Sequence, residues 1–184
     1  RGGLFIGNML IRQGWDVDIY ERSSESLALR GAGIAGHPEM APVLRACGID
    51  QDRIPGVDVD GRTAFDRSGR QIGYFAHAQY LTGWGLLHDL LRARFPVERY
   101  HAGVGLDTIE RTGPSPRVGR SDGRRIEADL VIGADGVRAR SRALLAPEVE
   151  PAYAGYVAFR GSVPEADLSE TFRREMFHRY IWLL

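Results

Sequence analysis

The sequence predicts an α/β fold with a Rossmann-like nucleotide-binding domain, a β-meander and the start of a second, antiparallel sheet. Three observations predict it. A helix opens at a glycine pair and leads to a strand that ends in an acidic residue. Two hairpin patterns follow along the chain. A short apolar run then breaks at a glycine-rich turn with one aspartate. The 184 residues begin inside a motif and stop within a strand pattern, so we expect a chain that is incomplete at both ends.

The composition excludes several classes of partner. The 24 basic side chains balance 24 acidic ones, which argues against nucleic acid or another polyanion as the main partner. Cys47 is the single cysteine, so no disulfide framework exists and a cytoplasmic location is expected. No apolar run approaches the roughly 18 residues of a membrane span. The histidines lack metal-ligand spacing, and no metal is predicted.

The first element is a predicted helix that starts at Gly2 and Gly3 and ends at Gly14, with a strand over residues 15–20 behind it. Glu21 closes the strand 18 positions after Gly3, near the spacing of about 20 in a dinucleotide-binding βαβ unit. In that unit the last glycine allows close helix–strand packing, and the acidic side chain accepts hydrogen bonds from the ribose hydroxyls. A chance helix–strand pair remains the alternative.

The second element is a glycine run over residues 31–36, which includes Gly33 and follows Arg30. Three glycines in six residues favour a backbone that wraps a ligand, and Arg30 is placed to pair with a phosphate. A flexible loop with a solvated arginine is the alternative reading. A short helix then precedes Gly48, with proline in its first turn.

The middle of the chain predicts antiparallel sheet around one helix. Residues 63–75 form a hairpin pattern, and a helix with a leucine face covers residues 85–95. A strand over residues 104–110 and a hairpin turn at residues 121–123 then predict a small β-meander.

The third motif is the turn of Gly133, Ala134, Asp135 and Gly136. Residues 130–132 read as a strand buried on both faces, which would put Asp135 at the strand's carboxyl end, where open α/β sheets bind ligands. Glycines on both sides let the backbone approach a ligand closely. The alternative is an ordinary strand-to-helix turn with Asp135 as the helix cap. Beyond this turn, residues 153–161 and the aromatic tail read as strands of a second sheet.

Together these motifs resemble the single-component FAD-dependent aromatic hydroxylases, the para-hydroxybenzoate hydroxylase-like monooxygenases. Residues 153–161 look most like the 2,6-dihydroxypyridine hydroxylase branch. Ala139 stands where the family's Asp-Gly motif usually has serine, while Arg142 keeps the motif's arginine. The resemblance implies FAD as cofactor and NAD(P)H as co-substrate. The cofactor-binding residues that it implies, together with the glycine-rich run, are Gly2, Gly3, Glu21, Arg22, Arg30, Gly33, Val104, Asp135 and Gly136.

The resemblance also implies a domain division and an activity. Residues 1–56 and 83–150 would form the FAD-binding domain, and residues 57–82 and 151–184 would be part of a substrate-binding domain. The enzyme would hydroxylate an electron-rich aromatic or pyridine ring with NAD(P)H and oxygen, and a homodimer is expected when it is full length.

No catalytic side chain is assigned, since the flavin carries the chemistry. Arg160 is a candidate for the flavin face or the substrate, against the alternative of a surface ion pair. An FAD-binding module without hydroxylase activity, or another FAD oxidoreductase, remains the alternative function.

Overall fold

A computed structural model describes residues 2–25, 27, 33–111, 113, 115–157, 163–177 and 179–183, and it shows a mixed α/β fold. The helices are α1 (Gly2–Arg12), α2 (Met40–Ala46), α3 (Trp84–Arg94), α4 (Arg140–Leu145) and α5 (Glu170–Met176). The strands are β1 (Ile19–Glu21), β2 (Gly33–Gly36), β3 (Val57–Phe65), β4 (Gln71–Gly83), β5 (Tyr100–Ala102), β6 (Leu106–Glu110), β7 (Arg117–Arg120), β8 (Arg125–Glu127) and β9 (Tyr180–Leu183).

The strands form three sheets. β1 and β5 pair in parallel, and β6, β7 and β8 form an antiparallel meander. The third sheet has the order β2-β4-β3-β9, in which β4 is antiparallel to both neighbours and β9 is parallel to β3. The meander is therefore confirmed, whereas the second sheet is mixed because β9 pairs in parallel.

The main core joins the three N-terminal helices. Leu4 of α1, Leu44 of α2, and Leu87 and Leu91 of α3 are almost completely buried together with Phe95. The apolar residues of each helix recur at three- and four-residue spacing, so each helix turns one stripe inward. The Asn8 amide reaches the α3 backbone and donates to the Leu91 carbonyl at 3.0 Å, so a polar group also joins α1 to α3 inside this core.

Several sequence predictions hold in this part of the chain. α1 and α3 lie where the periodicity places them. Gly14 has φ of 87°, the left-handed conformation expected just past the end of α1. The β3–β4 hairpin turns at Asp66, whose carboxylate accepts from the Ser68 and Arg70 backbone N–H groups at 2.9 and 3.0 Å.

The strand predicted over residues 130–132 is wrong. No strand is assigned there, and Leu130 and Ile132 are 52% and 43% exposed rather than buried. The physical reason is that an apolar run becomes a strand only when a neighbour bonds to its backbone, and no described strand lies beside it. Residues 153–157 are also exposed and form no strand, and residues 158–161 of that prediction lie outside the described residues.

Candidate nucleotide-binding site

The glycine end of the site is the first turn of α1. Gly2 and Gly3 open the helix, and Cβ atoms built on them would lie 3.8 and 3.7 Å from the Ala134 Cβ. The turn over residues 133–136 therefore lies directly against the start of α1. The first four N–H groups of a helix have no partner within it and carry partial positive charge, so this end favours an anionic group such as a phosphate.

Close packing between α1 and β1 depends on Gly7. A Cβ at that position would lie 2.7 Å from Ile19 Cδ1 and 2.9 Å from Phe95 Cε2, both closer than real Cβ contacts. Gly3, to which the sequence argument gave this role, has only an ordinary contact with Ala134. That assignment was wrong, because the helix meets the strand one turn further along, where Gly7 lies on the same face as Gly3.

The acidic end of the site is where β1 stops. The Glu21 carbonyl accepts from the Val104 N–H at 3.0 Å, and the half-buried Glu21 carboxylate accepts from the Ser23 N–H at 2.9 Å through Oε1. Within the described part of the chain, Oε2 keeps no hydrogen-bond partner. α1 meets β1 at Gly7, whose Cβ position would lie 2.7 Å from Ile19 Cδ1, two residues before Glu21.

The β-meander closes the outer side of this acidic end. Ser121 accepts from the Gly105 N–H at 2.9 Å through its hydroxyl and donates its own N–H to the Gly105 carbonyl at 2.9 Å. The Arg120 guanidinium lies 4.8 Å from the centre of the Tyr20 ring and pairs with Asp122. Burial, followed by the nearby Asp18, raises the pKa of the Tyr20 hydroxyl. Two hydrogen bonds thus fix the β7–β8 turn to the segment just before β6, and a cation–π contact joins the meander to Tyr20 of β1.

Asp135 makes two hydrogen bonds to one residue. Its Oδ2 accepts from the Ser141 N–H at 2.9 Å, and its Oδ1 accepts from the Ser141 hydroxyl at 2.5 Å. Partial burial raises the pKa of the Asp135 carboxyl, but the hydrogen bonds from Ser141, together with the backbone N–H groups of Asp135 and Arg140, outweigh it and hold the pKa below its usual value. Gly136 has φ of 81°, so the turn uses the left-handed freedom of glycine. Asp135 therefore accepts from the first turn of α4, but Ala139 and not Asp135 stands at the cap position of that helix.

The structure brings most of the predicted residues to two places. Gly2 and Gly3 lie against Ala134, the neighbour of Asp135 in the turn that also contains Gly136. Glu21, Arg22 and Val104 meet at the end of β1, where Arg22 Cγ lies 3.6 Å from the Cβ position of Gly105. Gly33 instead lies exposed on β2, paired with Gly83 in the four-stranded sheet. Arg30 and Arg160 lie outside the described residues.

Sequence reasoning missed Ser141 and Gly7. Gly7 carried a signal, since a small residue four positions after Gly3 falls on the same helical face. Ser141 carried none, because its partner lies six positions earlier, across a turn. Among the described residues no group of three or more His, Cys, Asp and Glu side chains is arranged for a metal ion. None of the helices that the structure describes has both the length and the hydrophobicity to span a membrane.

Known proteins resemble this chain over most of its length. The sequence relatives and structural neighbours of this chain are FAD-dependent aromatic hydroxylases, which confirms the resemblance seen in its motifs. No family model matches the chain.

Two sequence relatives and one solved structure illustrate this similarity. The 2,6-dihydroxypyridine 3-monooxygenase of Paenarthrobacter nicotinovorans is 32% identical over 168 residues, which are 91% of this chain and 42% of that protein. The 6-hydroxynicotinate 3-monooxygenase of Pseudomonas fluorescens is 32% identical over 180 residues, 91% of this chain and 46% of that protein. The solved structure of 2,6-dihydroxypyridine-3-hydroxylase from Arthrobacter nicotinovorans matches with a TM-score of 0.74 and 33% identity, over 83% of this chain and 38% of that one. The chain thus spans less than half the length of each.

Proposed function

We propose that this protein is an FAD-dependent monooxygenase that hydroxylates an electron-rich aromatic or pyridine ring with NAD(P)H and oxygen. The observation that carries the proposal is the meeting of Gly2 and Gly3 with the turn over residues 133–136. The two motifs are more than 100 residues apart in the chain, and both are typical of the hydroxylases that this chain resembles. The names of the relatives support a hydroxylated pyridine or benzoate ring as substrate.

The residues present fit the adenosine diphosphate part of FAD. The bare backbone of Gly2 and Gly3 at the start of α1 would face the pyrophosphate, which favours the positive end of a helix. Glu21 has a carboxylate oxygen without a hydrogen-bond partner among the described residues, and that oxygen can accept a hydrogen bond from a ribose hydroxyl. Val104 lies beside it, bonded to the Glu21 carbonyl, and would contact the adenine.

The remaining predicted residues complete the proposed site. Arg22 and Arg30 would hold phosphate oxygens by charge-assisted hydrogen bonds, and Gly33 would leave room for the cofactor. FAD, when bound, supplies the oxygen chemistry and takes its electrons from NAD(P)H. The chain's own part is to bind the cofactor, to hold the turn over residues 133–136 beside it, and to keep the ring substrate in position. Arg160 is proposed to hold an anionic substrate or flavin.

We also propose the division into an FAD-binding domain of residues 1–56 and 83–150 and a substrate-binding part of residues 57–82 and 151–184. The sheet that joins β3, β4 and β9 supports it, although β2 of the first part also pairs with β4. A cytoplasmic homodimer without nucleic-acid partners is proposed for the whole protein. The buried, unpaired Cys47 is compatible with a reducing compartment.

One set of measurements tests the function. The whole protein, when purified, should carry FAD, and 2,6-dihydroxypyridine or 6-hydroxynicotinate should speed its NADH or NADPH oxidation. Mass spectrometry should find one oxygen atom added to the ring, labelled when ¹⁸O₂ is supplied. FAD binding without any hydroxylated product, across hydroxypyridines and aminohydroxybenzoates, would favour the FAD-binding module without hydroxylase activity. Absence of FAD binding would refute both.

A further inference from the structure

The contact between Asp135 and Ser141 is unusually complete for an exposed turn. Both carboxylate oxygens of Asp135 are bonded to Ser141, and Ser141 is only 7% exposed. A Cβ on Gly133 would lie 2.4 Å from the Ser141 Oγ, so the turn wraps closely around this hydroxyl. Ala139 stands at the cap position of α4 and offers no side-chain hydrogen bond. Ser141 is therefore the residue of α4 that ties the turn to the helix.

The helix that carries Ser141 is itself anchored. The Arg140 guanidinium donates to the Asp107 carbonyl of β6 through Nε and Nη2, each at 3.4 Å. The Arg142 guanidinium donates to the Val137 carbonyl at 2.7 Å and so closes the other side of the turn. A hydroxyl on this anchored helix can hold Asp135 in one place, and Ala134 beside it then stays against Gly2 and Gly3.

We propose that Ser141 is a positioning residue for the flavin cofactor: through Asp135 it holds the turn over residues 133–136 against the start of α1. That the ligand is a flavin cofactor rests on the proposed function. Because both Asp135 oxygens are engaged, the carboxylate acts through the backbone it fixes. The residue that sets the affinity of this turn for the cofactor is then Ser141, six positions after Asp135.

The first test compares Ser141→Ala with Ser169→Ala. Ser169 is the matched control, because its hydroxyl also binds a helix start, accepting from the Phe172 N–H of α5 at 3.2 Å, and no cofactor-binding role is proposed for it. Ser141→Ala leaves Asp135 Oδ1 without a donor. We expect faster hydrogen exchange in peptides that cover residues 133–136 and the first turn of α1, and an FAD dissociation constant raised about tenfold. Ser169→Ala should change neither.

A double-mutant cycle separates positioning from direct contact. If Asp135 acts with Ser141, the double variant with Asp135→Ala should bind FAD no more weakly than Asp135→Ala alone. Asp135→Asn should keep FAD affinity within about threefold, since its carbonyl accepts from the Ser141 N–H and its amide can donate to the Ser141 hydroxyl.

Four results would overturn the proposal. The first two concern Ser141→Ala: unchanged hydrogen exchange, or faster hydrogen exchange with unchanged FAD affinity. The third is that the losses of FAD affinity add up in the double-mutant cycle. The fourth is that Asp135→Asn binds FAD as weakly as Asp135→Ala. A wild-type protein that binds no FAD would refute the proposed function and the cofactor part of this proposal. The exchange comparison would then still decide whether Ser141 holds the turn.

Discussion

Replacing Gly7 with alanine tests the packing that aligns α1 with β1. The added Cβ would lie 2.7 Å from Ile19 Cδ1 and 2.9 Å from Phe95 Cε2, so one of these side chains or the helix must move. Overpacking of this kind costs about 1–3 kcal/mol. Alanine in place of glycine within a helix gains about 1 kcal/mol. We therefore expect a net loss of stability of up to about 2 kcal/mol.

Gly3→Ala is the matched control for this change. It makes the same substitution on the same helix, but its Cβ would meet Ala134 at 3.7 Å, an ordinary contact. The gain in helix propensity largely cancels between the two variants, so their difference isolates the overpacking. A difference of about 2 kcal/mol corresponds to about 4–8 °C in Tm for a chain of this size. Urea unfolding and thermal unfolding, both followed by circular dichroism, would measure it. Equal stability of the two variants would refute the reasoning, because it would mean that Ile19 and Phe95 move aside at no cost in free energy.

Three further predictions concern the proposed site. Glu21→Ala should weaken FAD binding by about 1–3 kcal/mol, since a ribose hydroxyl loses its acceptor; titration of the apoprotein would measure this, and unchanged affinity would remove Glu21 from the site. The lowered pKa of Asp135 means that its stabilising contribution is present above the unfolded-state pKa of about 3.9 and is lost as pH falls through the lower folded-state value. Asp135→Asn should therefore flatten the fall in unfolding free energy below about pH 4 in urea titrations, and an identical acid profile would contradict this. Arg160→Met should raise KM or lower kcat for an anionic substrate, and unchanged steady-state kinetics would leave Arg160 in a surface ion pair worth about 0–1 kcal/mol.

Local signals predicted the elements whose partners are close in the chain. α1 and α3 follow from apolar periodicity, and the left-handed Gly14 follows from its place after a helix. The β3–β4 hairpin and the meander follow from turn residues between short strands. In each case the interactions that decide the structure lie within a few residues, so the sequence pattern contains them.

The errors arise where a distant partner decides the structure. Residues 130–132 have the composition of a buried strand, but composition does not provide the neighbour that a strand requires. Gly3 was given a packing role that Gly7 performs, because the crossing point of α1 on β1 depends on Ile19 and Phe95. Asp135 was recognised as important from its turn, whereas its partner Ser141 could be found only from the structure.

The parallel pairing of β3 with β9 has a consequence for synthesis on the ribosome. Arg62 pairs with Tyr180, 118 residues later, whereas β4 follows β3 after a short turn. At a translation rate of about 5–20 residues per second, β9 is synthesised roughly 6–24 seconds after β3, and the second edge of β3 has no partner strand during that interval. An unpaired edge can recruit a strand from another chain, so this interval is when nascent chains are most exposed to mispairing. Faster translation between residues 66 and 180 would shorten it, and a pause there would raise the demand for chaperones.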